Sequence, residues 1–222
     1  MEPNLERDAG KRHVRVPVGS ITLAGDLLIP PEAKTIVVFA HGSGSGRKSP
    51  RNRLVAKLLQ QRPFATLLID LLTEDEEQVD VVTAELRFDI DLLATRLEQS
   101  SRWLLAQPAT RDLHVAYFGA STGAAAALVA AARQQDAVRA VVSRGGRPDL
   151  AGPSLSYVSA PTLLIVGGAD EVVLELNRAA FSQLQCERDL VIIPGATHLF
   201  PEPGALERVA DLTAHWLEAH QR

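Results

Sequence analysis

Residues 114–123 read His-Val-Ala-Tyr-Phe-Gly-Ala-Ser-Thr-Gly, and an alanine-rich segment runs on from there to residue 133. The apolar run HVAYF has the character of a strand buried on both faces, and the alanines that of a helix. Between them, Gly119-Ala120-Ser121-Thr122-Gly123 must turn the chain within a few residues. In such a strand–turn–helix setting the central serine takes a strained backbone conformation, and the glycines two residues away on either side keep side chains out of the crowded turn. The hydroxyl of Ser121 then stands at the N-terminal end of a helix, whose dipole favours developing negative charge. The bare pattern arises by chance in roughly one chain of this length in fifteen. It is the setting that gives it weight.

Outward from this turn, short apolar runs bounded by Gly, Pro or Asp alternate with longer segments of helical period, which argues for a parallel sheet wrapped by helices. Residues 13–18 and 21–29 read as an opening hairpin. Strands are expected at 35–40 (TIVVFA), 65–70, 114–118, 138–143, 162–166 (TLLIV) and 189–193. Helices are expected at 52–62, 82–107, 122–133, 173–184 and 205–219. In the longest, Leu86, Ile90, Leu93 and Leu97 recur every three or four residues and Pro108 closes it. In the last, Leu206, Val209, Leu212 and Trp216 share one face. The connection from about 144 to 161 has room only for a loop and a turn or two of helix, so an open site without a lid is expected.

Parallel strands all end on one side of a sheet, and loops at that side build the crevice. Two further segments fall there. Gly167-Gly168-Ala169-Asp170 follows TLLIV, and Ala196-Thr197-His198 follows the last strand. Asp170 has a competing role as the cap of the next helix. Glu171 is a weaker alternative acid, and Asp149 a stronger one. His13 and His114 lie at strand starts, and His215 and His220 on the last helix. Only His198 falls in a loop after the last strand. Ser121 is then the candidate nucleophile, His198 its base, and Asp170 the acid that fixes the imidazole. An oxyanion hole needs two converging amides. Thr122 supplies one, and Ser43, in the loop His41-Gly42-Ser43-Gly44-Ser45-Gly46, the other. That glycine-rich loop lacks the Lys-Ser/Thr ending of a phosphate-binding loop.

Arg47, Lys48, Arg51 and Arg53 cluster just after this loop. They read either as a site for an anionic substrate group or as a salt-bridged surface facing the acidic run Glu74–Glu77, and exposed charges are usually of the second kind. Arg144 and Arg147 are further candidate anion contacts. The candidate substrate-binding set is His41, Arg51, Arg147 and Leu199. Tyr157, Leu199 and Phe200 are candidates for an acyl pocket, Leu199 and Phe200 equally for core anchors that hold His198 in place.

The chain has 222 residues, 46% of them hydrophobic and 23% charged, as expected for one globular domain. A net charge of −4 argues against a nucleic-acid partner. One cysteine, Cys186, excludes an intrachain disulfide and fits a cytoplasmic location. No Cys/His group has zinc-ligand spacing. No apolar run is long enough for a membrane span, and residues 1–12 read as a flexible N-terminal arm rather than a secretory signal.

The set HGSGSG, GASTG, GGAD and ATHLF, in this order and on these elements, resembles the α/β-hydrolase superfamily from about residue 20 to the end. Within it the chain is most similar to the small, lidless dienelactone-hydrolase-like group. The resemblance implies a single α/β domain with a mostly parallel eight-stranded sheet, an antiparallel second strand, helices on both faces and no cap domain. It implies neither metal nor organic cofactor. Dienelactone hydrolases proper use a cysteine nucleophile, whereas the elbow here carries Ser121 and Cys186 lies far from it. That departure favours hydrolysis of small or accessible carboxylic esters through an acyl-enzyme over lactone specificity. Thioester or peptide cleavage by the same residues, and a non-catalytic binding protein on this fold, are the alternatives. The expected partner is a small-molecule ester, and the expected state a monomer or homodimer.

Overall fold

The computed structural model describes residues 10–221. The eight strands are β1 (Arg12–Val18), β2 (Ile21–Leu28), β3 (Thr35–Ala40), β4 (Phe64–Ile69), β5 (His114–Ala120), β6 (Val138–Arg144), β7 (Thr162–Gly167) and β8 (Arg188–Ile193). They form one sheet in the order β1-β2-β4-β3-β5-β6-β7-β8. Strand β2 runs antiparallel to both β1 and β4, and every other pairing is parallel. This is the mostly parallel eight-stranded sheet with an antiparallel second strand that the resemblance implies. Arg12 already belongs to β1; the rest of the arm expected over residues 1–12 lies almost wholly outside the described residues.

Strands β3, β4 and β7 are buried along their whole length. Both faces of the sheet are covered. On one face pack α1 (Pro50–Gln60) and α6 (Ala205–Ala219), through Val55, Leu59, Val209 and Leu217. On the other pack α3 (Ile90–Ala106) and α4 (Thr122–Arg133), with α5 (Glu171–Gln183) beside them. In α4 the alanines are what let the helix lie close: residues Ala124 to Ala131 are all buried. At about 25 cal/mol per Å² of apolar surface removed from water, such close packing is the main stabilising term.

One expected helix divides. The segment 82–107 does not form a single helix: α2 (Glu74–Thr83) ends where Ala84 takes a left-handed conformation, φ 56°, a short 3-10 turn spans Leu86–Phe88, and α3 begins at Ile90. Two local devices explain the break. Thr73 and Glu76 form a capping box that starts α2. The buried carboxylate of Asp80 accepts from the Leu86 amide at 2.8 Å, the Arg87 amide at 3.0 Å and Arg87 Nε at 2.6 Å, which pulls the chain back on itself. The acidic run Glu74–Glu77 is thus the first turn of a helix, where carboxylates oppose the macrodipole.

The connection between β6 and β7 holds only 3-10 turns over Pro148–Tyr157, kinked at Gly152, and no cap domain covers the sheet's C-terminal edge. Among the described residues, no helix is long and apolar enough to cross a membrane.

Candidate active site

The register of the central strands assembles the site. Ala40 pairs with Gly119, and Ala120 with Arg144, so the ends of β3, β5 and β6 lie side by side. Ser121 follows at φ 50°, ψ −124°, a conformation costly for any side chain but glycine's and held here by its surroundings. A Cβ on Gly119 would lie 2.4 Å from Ala124 Cα, and one on Gly123 2.2 Å from the Ala40 carbonyl oxygen. Only glycine fits at either place. The Ser121 carbonyl accepts from the Arg147 amide at 3.0 Å, and the Ser121 amide reaches the Arg144 carbonyl at 3.4 Å. The strained turn is therefore braced from the β6 side.

His198 lies on the loop after β8. Its Nδ1 is 2.7 Å from Asp170 Oδ2. A carboxylate only accepts, so Nδ1 carries the proton and Nε2 is left free as a base. Asp170 sits at the cap position of α5 yet makes no capping bond; its carboxylate goes to the imidazole instead. The loop is pinned twice more. Glu202 Oε1 accepts from the Thr197 amide at 3.0 Å and from its hydroxyl at 2.6 Å. Phe200, at φ 55°, buries its ring in the core as an anchor. The exposed Leu199 turns the other way, toward the cleft.

Ser121, His198, Ser43, Arg51, Arg144 and Leu199 all line one cleft of about 220 Å³. A larger cleft, about 420 Å³, adjoins it across Gly42, Ser43 and Ser45 and is walled by Leu72, Val81 and Leu93 with residues of α2. Thr122 lines the larger cleft. Gly42 is what lets the Ser43 loop approach the elbow: a Cβ there would stand 2.8 Å from Ser121 Cβ.

The remaining candidates separate. His41 is buried, its Nδ1 donates to the Gly42 carbonyl at 3.0 Å, and its Nε2 accepts from the Leu71 amide at 2.9 Å. Burial pushes its pKa below the usual histidine range, so the ring stays neutral. It clamps the glycine-rich loop to the β4 side and has no ring nitrogen to spare for a substrate. Arg147 is likewise turned away: its Nε and Nη2 bond Asp149 at 2.8 and 2.7 Å, which raises its pKa. The same pair engages both oxygens of Asp149, and the acid at His198 is Asp170. In the basic cluster, Arg47 bonds Asp70 and Arg53 reaches Asp26 at 3.2 Å. The acids expected to match them, Glu74–Glu77, are not the partners; Glu76 pairs with Arg96 instead. Arg51 alone of the cluster lines the Ser121 cleft. Tyr157 is exposed, on the β6–β7 connection. Asn52 and Ser49, unmarked by any sequence motif, join the cleft because α1 starts there, with Ser49 as its cap.

Comparison with known proteins agrees with this architecture. Residues 23–219 match the dienelactone hydrolase family. A dienelactone hydrolase from Anabaena variabilis superimposes with a TM-score of 0.94 at 58% identity, over 96% of this chain and 99% of that one. A lidless α/β serine hydrolase from Xanthomonas campestris shares the fold at 19% identity, with a TM-score of 0.73 over 97% of each chain. A putative phosphoribosyl transferase of Mycobacterium tuberculosis is 58% identical over 207 residues, which are 93% of this chain and 46% of that protein. The chain thus spans about half the length of the curated relatives it matches.

Proposed function

The chain belongs to the dienelactone hydrolase family, and from that premise we propose that it is a serine-dependent hydrolase of small or accessible carboxylic esters, with Ser121, His198 and Asp170 as nucleophile, base and acid. The observation that carries the reading is the shared cleft. A serine held at φ 50° by its elbow and a histidine whose Nδ1 is engaged by a carboxylate open onto the same space. Serine at its own pKa is a poor nucleophile and reacts only when a base takes its proton. The free Nε2 of His198 takes that proton as Ser121 Oγ attacks the ester carbonyl. The imidazolium that forms is stabilised by Asp170, which stays ionised. The oxyanion is received by the amides of Thr122, at the start of α4, and of Ser43. His198 then protonates the departing alkoxide, and water repeats the sequence on the acyl-enzyme.

The serine matters to the substrate as well as to the step. Cys186 lies between α5 and β8, with its sulfur 3.7 Å from the Thr162 hydroxyl. No thiol replaces Ser121 at the elbow. An oxygen nucleophile without a lid suits oxygen esters that reach an open site.

Hydrolysis of short-chain p-nitrophenyl esters tests the proposal. The wild type should turn them over and react with a serine-directed phosphonate, while Ser121→Ala should lose at least about 10⁴-fold in kcat. Activity that survives in Ser121→Ala assigns the wrong nucleophile. Absence of both turnover and labelling in the wild type refutes the enzyme.

A further inference from the structure

Two clefts of unequal character meet at the Ser43–Ser45 loop. The smaller, about 220 Å³, holds Ser121 and His198 and is otherwise edged by polar side chains, Ser49, Arg51, Asn52 and Arg144 among them. The larger, about 420 Å³, holds Thr122 and shares Gly42, Ser43 and Ser45 with the first. Its floor is apolar: Leu72 and Leu93 are 6% and 3% exposed and belong to the main core. Its rim carries Val81, an apolar side chain on α2 that is 76% exposed. The proposed chemistry takes an amide from Ser43 and one from Thr122 at this mouth, yet gives the cleft behind them no task.

The acyl-transfer step decides what each cleft can receive. The departing alkoxide takes its proton from Nε2 of His198, so the alcohol must lie on the histidine's side. The carbonyl oxygen points at the amides of Thr122 and Ser43. One substituent is left, the acyl chain. His198 lines the smaller cleft and not the larger, whereas Thr122 lines the larger and not the smaller. The acyl chain therefore has the larger cleft before it. An alkyl chain on the alcohol would instead cover the polar edge of the smaller cleft, taking water from its hydrogen-bonding groups without replacing it. A charged acyl end is poorly received too. Glu74 and Glu77 line the larger cleft, and burial together with the nearby Asp70 carboxylate pushes the Glu77 pKa above its ordinary value. An added carboxylate would meet like charge there.

We infer that the larger cleft, floored by Leu72 and Leu93 and rimmed by Val81, is the acyl-chain pocket, and that the preferred substrates are esters of an uncharged, medium-length apolar acid with a small alcohol. The inference rests on the ester-hydrolase reading and names the substrate class for it. Each methylene that leaves water against these walls should raise kcat/KM about 3-fold.

Two isomers test this, ethyl hexanoate and hexyl acetate, which have the same atoms and differ only in the side of the ester that carries the chain. In the wild type, kcat/KM for ethyl hexanoate should exceed that for hexyl acetate about 10-fold or more. It should exceed that for the monoethyl ester of adipic acid as well, whose acyl chain ends in a carboxylate. Val81→Trp narrows the cleft, and Val81→Asp makes its rim polar; with the side chain so exposed, neither disturbs the core. In both, the isomer ratio should fall to about 3-fold or less. Equal or reversed isomers in the wild type, a ratio that survives both substitutions, or monoethyl adipate turned over as well as ethyl hexanoate overturns the assignment. Binding is read apart from turnover in Ser121→Ala, by thermal unfolding with hexanamide and with acetamide at equal concentration. Hexanamide should raise Tm by a few degrees where acetamide does not, and the rise should vanish in the Ser121→Ala, Val81→Trp double variant. Should no ester be hydrolysed, the ester-hydrolase reading fails by itself, and the Tm shift still decides for or against the pocket; equal shifts with the two amides, or a shift unchanged in the double variant, decide against it.

Discussion

Two buried arginines, Arg96 and Arg144, show how differently this fold treats the same side chain. They are 5% and 6% exposed. On α3, Arg96 donates to the Leu71 carbonyl at 2.7 Å and grips both oxygens of Glu76 at 2.7 and 2.6 Å, so its fork is matched by a carboxylate and a backbone oxygen. At the end of β6, Arg144 finds one amide oxygen and an aromatic face. Arg96 locks α2 to α3 and thereby shapes the wall of the larger cleft. Arg144 contributes nothing of that kind in proportion to the cost of burying it. The charge of Arg96 is answered inside the protein and ties two helices together; that of Arg144 meets no carboxylate and lies at the wall of the Ser121 cleft.

Carboxylates divide in the same way, and here the largest effect is expected. Asp170 holds His198, whereas Asp149 is taken up by Arg147. Asp170→Asn should lower kcat by about 10⁴-fold, because the amide favours the wrong imidazole tautomer. Asp149→Asn should change kcat by less than about 3-fold, since its partner is Arg147. Steady-state kinetics on one ester decide it, and a reversed order of the two variants breaks the distinction.

The arginines themselves predict opposite changes in stability. Arg96→Met strands Glu76 and opens the α2–α3 contact, and should cost about 3 kcal/mol in urea unfolding. Arg144→Met removes an unmatched charge from a buried site, and should leave stability unchanged or raise it by about 1 kcal/mol. A loss of several kcal/mol in Arg144→Met would mean that the side chain is structural after all.

Much of the candidate site's geometry was legible because its parts are local. Ser121 is marked by glycines at fixed distances between a strand and a helix. Asp170 and His198 stand in short loops just past apolar strands, and the parallel register carries all three to one edge. What could not be read depends on distant partners. Arg144 and Arg147 are three residues apart, yet Arg147 is engaged by the nearby Asp149 while Arg144 meets Asn52, 92 residues earlier in the chain. Arg53 is matched by Asp26, which lies 27 residues earlier on another element. Helix α2 escaped for a different reason. Its valines Val79, Val81 and Val82 are exposed, so no apolar stripe announces it. The signal that was present is Thr73-Glu74-Asp75-Glu76, a capping box, and it precedes a helix held by its cap and its ion pair rather than by its face.

That helix gives the smallest and most selective test. Glu76 both closes the capping box and binds Arg96. The Arg96 hydrogen bond, opposed by burial, holds the Glu76 carboxyl below its ordinary value of 4.5. A carboxylate with a depressed folded pKa stabilises the protein fully above its unfolded pKa, and that stability is lost as pH falls through the folded value. Glu76→Gln keeps the shape and the capping acceptor while removing the charge. At pH 7 it should cost about 1–2 kcal/mol. The cost should hold down to about pH 5 and then shrink as the wild-type carboxyl takes up its proton. Urea unfolding of the two proteins from pH 7 to pH 3 measures the difference. A gap that stays constant across that range would place the contribution of Glu76 in the cap alone, and Arg96 would then be no better answered than Arg144.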